Sequence, residues 1–141
     1  MTTAPENRLN LQAITATDLM SKCRESLSHR ATFREAVAYF VDRHITVALV
    51  AGEDGKPIGV ISLTDLLIHV RECLATERIQ PVAVSTLMTP TIFTVPADLP
   101  AEDVVQDMLR SKVHHLFVEK GGRIVGVINA CDLLRHLRTG D

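Results

Sequence analysis

Apolar positions along the chain alternate between two periods. Phe33, Val37, Phe40 and Val41 recur at helical intervals behind Thr32, and Glu35 follows Thr32 by three, which predicts an amphipathic helix opened by a capping box. Val47 to Val50 and Ile58 to Ile61 are β-rich runs around a Gly-containing turn and predict a hairpin. A further helix is expected to start near Ser62 and to carry the pair Leu66-Leu67. The same series then returns. Ile92-Phe93-Thr94-Val95 reads as an extended segment, and Pro100 suits a first helical position ahead of the stripe Val104, Val105, Met108 and Leu109. Leu116 to Val118 and Ile124 to Ile128 form a second hairpin pattern, and a helix is expected near Asn129 with Leu133-Leu134.

The recurrence is visible in the residues themselves. Gly59-Val60-Ile61-Ser62-Leu63-Thr64-Asp65-Leu66-Leu67 and Gly126-Val127-Ile128-Asn129-Ala130-Cys131-Asp132-Leu133-Leu134 share six of nine positions at an offset of 67. His69 and Arg71 recur as His136 and Arg138. Upstream the offset is 68: Leu19-Met20 matches Leu87-Met88, and Ile45 to Val50 matches Val113 to Val118. The slip falls in the hairpin turn, where a length change costs little. The expected fold is α+β, with two pseudo-symmetric β-α-β-β-α repeats packed sheet to sheet, since one unit of roughly sixty residues buries too little surface alone. The predicted boundaries are a tail or short helix over 1–13, repeat one over 14–71, a linker over 72–83, repeat two over 84–138 and a tail over 139–141.

Composition narrows the function classes. With 141 residues, 46% hydrophobic, the chain can build an ordinary core, and 15 Lys plus Arg against 17 Asp plus Glu give a net charge of −2. That balance, with scattered cations and only Phe33, Tyr39, Phe40, Phe93 and Phe117 as aromatics, points away from nucleic acid. No apolar run reaches the length of a membrane span, and the polar start lacks the apolar core of a signal peptide. Cys23, Cys73 and Cys131 are too few and too widely spaced for a disulfide framework or a closed zinc site, so reduced thiols in a cytoplasmic protein are expected. No nucleophile elbow, phosphate-cradling Gly-rich loop with Lys, or His-Glu-x-x-His run is present, so no enzyme is predicted.

The ordered set of motifs resembles a tandem pair of CBS domains, the Bateman module. The carrying residues are Asp18-Leu19-Met20, Thr86-Leu87-Met88-Thr89-Pro90, Val113-His114-His115-Leu116-Phe117-Val118, and Gly-Val-Ile followed by a short polar residue, two residues and Asp, over residues 14 to 138. The resemblance implies a regulatory module that binds an adenosine-containing ligand (AMP, ADP, ATP, NAD or S-adenosylmethionine) between repeats and signals to a separate, unidentified partner. It also implies a homodimer, with the Leu66-Leu67 and Leu133-Leu134 helices as core or interface.

From the residues alone, Ser62 and Asp65 read as a helix cap. The same helix start can present N–H groups to phosphate, while an Asp carboxylate can accept both hydroxyls of a ribose. The resemblance implies the second use: Ser62 toward phosphate, Asp65 toward ribose. Asn129 departs from the Ser or Thr usual in the family and is bulkier, whereas Asp132 keeps the acid. The resemblance further groups Thr89, Pro90, Thr91, Val113, His114 and His115 with Ser62 and Asp65. It groups Met20, Ser21, Lys22, Ile45, Thr46 and Val47 with Asn129 and Asp132. Adenine would rest on apolar side chains including Val60 or Val127. His115 is a candidate to meet phosphate as imidazolium, with affinity falling as pH rises, and Lys22 is its counterpart. Adjacent strand residues face opposite ways, so His114 and His115 do not chelate one metal, and no metal is expected. The alternative is an interaction or dimerisation scaffold whose degenerate clefts stay empty, a reading Asn129 favours.

Overall fold

In the computed structural model, residues 8–23 and 25–139 are described. They form two compact units, each with its own core: a terminal unit from described residues 8–23 and 93–139, and a central unit from residues 25–92.

In the central unit, strands β3 (Ser26–Ser28), β4 (Val47–Ala51) and β5 (Pro57–Ser62) form one sheet in that order. β3 runs parallel to β4, and β4 and β5 are the expected hairpin. Helix α2 (Phe33–Arg43) links β3 to β4, α3 (Leu63–Thr76) follows β5, and the short α4 (Val84–Leu87) closes the unit. The capping box at α2 is complete. The Glu35 N–H donates to Thr32 Oγ1 at 3.1 Å, and the Thr32 N–H donates to Glu35 Oε1 at 3.1 Å. Leu27, Phe33, Ala36, Phe40, Ala48, Val50, Ile61, Leu66 and Val84 form the core.

The terminal unit repeats the plan with additions. Its four-stranded sheet has the order β2 (Ser21–Lys22), β8 (Arg123–Asn129), β7 (His115–Lys120), β6 (Thr94–Pro96). Helices α1 (Ala16–Leu19), α5 (Ala101–Ser111) and α6 (Ala130–Arg135) pack a core of Leu19, Val95, Val104, Met108, Leu116, Val118, Ile128 and Leu133, among others. The stretch expected to be a tail supplies strand β1 (Leu9–Leu11), which pairs antiparallel with β9 (Leu137–Thr139). That pairing explains why α6 has 6 residues while α3 has 14: the chain leaves the helix to join the strand. α3 in turn runs through Thr76, into the stretch expected as linker. Pro100 caps α5 from outside rather than standing at its first position, and its extended ψ of 140° suits that role.

The units are not the repeats. The Leu-Met segment that opens each repeat is built into the unit holding the other repeat's hairpin. Ser21 and Lys22 pair with Val127 and Gly126. Thr89 pairs with Val60. Gly59 and Gly126 make these crossings feasible. A Cβ on Gly59 would stand 2.6 Å from the Thr89 carbonyl oxygen, and one on Gly126 would overlap Met20 Sδ and lie 2.9 Å from the Ser21 carbonyl oxygen.

Candidate functional site

The two recurrent acids sit where each hairpin turns into its last helix. In the central unit Ser62 is the extended N-cap of α3, with φ −122° and ψ 170°. Its hydroxyl oxygen accepts the Asp65 N–H at 3.3 Å. Asp65 Oδ2 accepts the Ser62 N–H at 2.8 Å and the Ser62 hydroxyl at 3.1 Å. One carboxylate oxygen thus serves the cap, as local sequence alone suggested, and the carboxyl group is half-buried. The Thr46 carbonyl accepts the Leu63 N–H at 3.1 Å, tying the preceding strand to the helix start. Thr89 bridges to Val60 on the strand that runs into this cap, and Pro90 follows at the surface.

The terminal unit uses different chemistry at the equivalent place. Asn129 Oδ1 accepts the Asp132 N–H at 2.8 Å. The Asp132 carboxylate does not return to the cap. It pairs with Arg135, Nη1 to Oδ1 at 3.1 Å. Arg135 was not a sequence candidate; its spacing of three from Asp132 on a helix was the signal that could have found it. His115 lies opposite Asn129 in the β7–β8 ladder, and the His114 carbonyl accepts the Ala130 N–H at 3.0 Å. Burial, aided by the neighbouring His114, lowers the His115 pKa, with Asp132 opposing. Without ligand its ring is therefore shifted toward neutral imidazole.

Each unit holds candidates from both expected groups. Thr89 and Pro90 share the central unit with Ser62 and Asp65, and Met20 and Lys22 share the terminal unit with Asn129 and Asp132. Val113, His114 and His115 lie in the terminal unit with Asn129, and Ile45 and Thr46 lie in the central unit with Ser62. An antiparallel hairpin ladder sets Val47 opposite Ser62 and His115 opposite Asn129, so each middle strand stays with its own repeat. Val60 and Val127 are both half-buried on the strands that end at the two caps. A separate open depression of about 490 Å³ lies in the terminal unit beside Asp98, Glu119 and Lys120, and includes none of these residues. Among the described residues, no group of three or more His, Cys, Asp or Glu side chains is arranged to hold a metal ion. No helix there is long and apolar enough to cross a membrane.

Two hairpin-to-helix turns, each crossed by the opening segment of the other repeat, define a tandem-repeat α+β module. The chain belongs to the CBS domain family, whose model matches residues 16–72 and 84–139. Solved structures share the fold at low identity. A CBS-domain containing protein from Agrobacterium tumefaciens is 22% identical, with a TM-score of 0.77 over 89% of this chain and 94% of that one. CBSX2, solved in complex with AMP, is 23% identical, with a TM-score of 0.72 over 87% and 95%. The CBS domain pair of protein MJ0100, solved with 5′-methylthioadenosine and S-adenosyl-L-methionine, is 23% identical, with a TM-score of 0.70 over 87% and 95%.

Proposed function

We propose that the chain is a non-catalytic regulatory module that binds an adenosine-containing ligand at Ser62 and Asp65, and at Asn129 and Asp132. The carrying observation is the repeated turn in which a short polar residue and an acid three positions later open a helix against a segment of the other repeat. AMP in CBSX2 and the adenosyl ligands of the MJ0100 pair support this ligand class. The Asp65 carboxylate keeps lone pairs beyond those used by the cap, so it can accept ribose hydroxyls. Val60 or Val127 offers an apolar seat for adenine, with Met20, Ile45, Thr46, Thr89, Pro90 and Val113 on neighbouring segments. Ligand binding would favour one arrangement of the module, and a partner protein would read it. A reducing compartment such as the cytoplasm fits three cysteines that form no disulfide.

Self-association into a homodimer belongs to the same reading. Exposed Val41 and Leu67 recur as exposed Leu109 and Leu134 in the second repeat, on α2, α3, α5 and α6. Two faces matched by internal symmetry suit an isologous contact with a second copy.

The alternative is a scaffold with empty sites. The internal partners of both acids favour it, since Asp65 completes a capping box and Asp132 pairs with Arg135. Isothermal titration calorimetry with AMP, ATP, NAD and S-adenosylmethionine decides between them. The regulatory reading expects binding, weakened about tenfold or more by Asp65→Ala. The scaffold reading expects no heat from any of the four up to millimolar ligand.

A further inference from the structure

The nucleotide reading above leaves open which ligand each unit takes, and the following inference rests on that reading. The offsets that align the repeats also align the residues around the two acids, and they differ in charge. Arg135, His114 and His115 correspond to Ile68, Thr46 and Val47, and Lys22 corresponds to Pro90. Four positions able to carry positive charge in the terminal unit are thus matched by four neutral ones in the central unit.

Two of these, Arg135 and His115, act directly on Asp132. His115 stands opposite Asn129, and the His114 backbone holds the first residue of α6. Lys22 stands opposite Gly126 on the crossing strand, three residues from Asn129 and on the other face, so it adds charge to the unit but not a contact at the acid. Arg135 is paired with Asp132, whose side chain is 16% exposed, but the arginine side chain itself is 77% exposed. An exposed guanidinium on a long stem is held weakly by such a pair and is free to turn to a better anion. Its planar donors match phosphate oxygens two at a time. At the equivalent point of the central unit, Ile68 is 44% exposed and offers no donor.

We propose that the two sites divide their ligands by charge. The terminal unit takes a phosphorylated adenosine, with Arg135 leaving Asp132 for the phosphate as the ribose engages the carboxylate. The central unit takes an adenosine whose tail carries no phosphate.

The test is calorimetry of the full chain with AMP and with adenosine, using Arg135→Ile and Ile68→Arg, each of which imports the other repeat's residue at an exposed position. Circular dichroism checks folding, and the Asp65→Ala background isolates the terminal site. R135I is expected to lower the preference of the terminal site for AMP over adenosine by about tenfold. I68R is expected to strengthen AMP at the central site by a similar factor, and added salt should weaken AMP but not adenosine. Binding of both ligands with an AMP-to-adenosine ratio unmoved by either variant overturns the division by charge and leaves the nucleotide reading standing. No binding of either ligand to the unsubstituted chain overturns both.

Discussion

Val60 and Thr89 exchange two backbone hydrogen bonds, each N–H donating to the other's carbonyl at 2.8 Å. They come from different repeats, so this bridge is where the opening of the second repeat becomes part of the first repeat's sheet. Ser21 opposite Val127 is its counterpart in the terminal unit.

The bridge depends on missing side chains. Gly59→Ala is expected to destabilise the fold by about 1–3 kcal/mol, because the new Cβ meets the Thr89 carbonyl, which is backbone and cannot swing away. Both positions also face a flexible methionine thioether, but Gly126→Ala meets its backbone neighbour, the Ser21 carbonyl, at 2.9 Å rather than 2.6 Å and should cost less. Urea denaturation of the two variants ranks them; equal or negligible losses would remove the crossing from the account of stability.

The two acids should behave differently as structural groups. Asp65→Ala removes the returning half of a capping box and is expected to cost about 1 kcal/mol. Asp132→Ala removes a pair whose arginine is mostly exposed, and its effect should stay within about 0–1 kcal/mol. Thermal melts without ligand compare them.

His115 predicts a pH dependence. Its pKa is lowered in the folded chain, so between the folded value and the unfolded value of about 6.5 the unfolded state binds more protons. Its contribution to stability is fully present above the unfolded pKa, falls as pH drops through that window, and is gone below the folded pKa. His115→Gln should flatten this fall when unfolding is followed from pH 7.5 to pH 5. An unchanged slope would mean that the ring is not held toward neutral.

α2 and α5 end on His44 and Lys112, with φ of 53° and 54°, at matching places in the repeats. A side chain in this left-handed region costs roughly 1 kcal/mol. Both residues are exposed, so Lys112→Gly and His44→Gly should each raise the denaturation midpoint.

Leu67→Glu combined with Leu134→Glu is expected to shift the sedimentation behaviour of a self-associated chain to that of a single copy, with folding retained because both positions are exposed. Unchanged sedimentation of an associated chain would place the contact elsewhere.

Helices, hairpins and caps were legible locally because their causes are local. Thr32 with Glu35, and Ser62 with Asp65, carry their partners three residues away, and the apolar periods of α2 and α5 need no distant contact. The strand over Leu9–Leu11 was not legible, since its short run gains its order only from Leu137–Thr139 at the far end of the chain. Sequence likewise named the candidate residues, and resemblance grouped them, but neither gave which residues stand opposite one another in a ladder. Assigning His115 to Asn129, and Thr89 to Val60, requires the hairpin register and the crossing segments.

By itself, then, the order of residues determined a twofold α+β module, its caps and its recurrent acids, because near-neighbour hydrogen bonds and side-chain periodicity decide those. Only the tertiary structure decided that opening segments trade places between repeats and that Asp132 answers to Arg135 while Asp65 answers to its own cap. Such choices depend on which distant backbone reaches an edge strand, and on whether Ser or Asn occupies the cap.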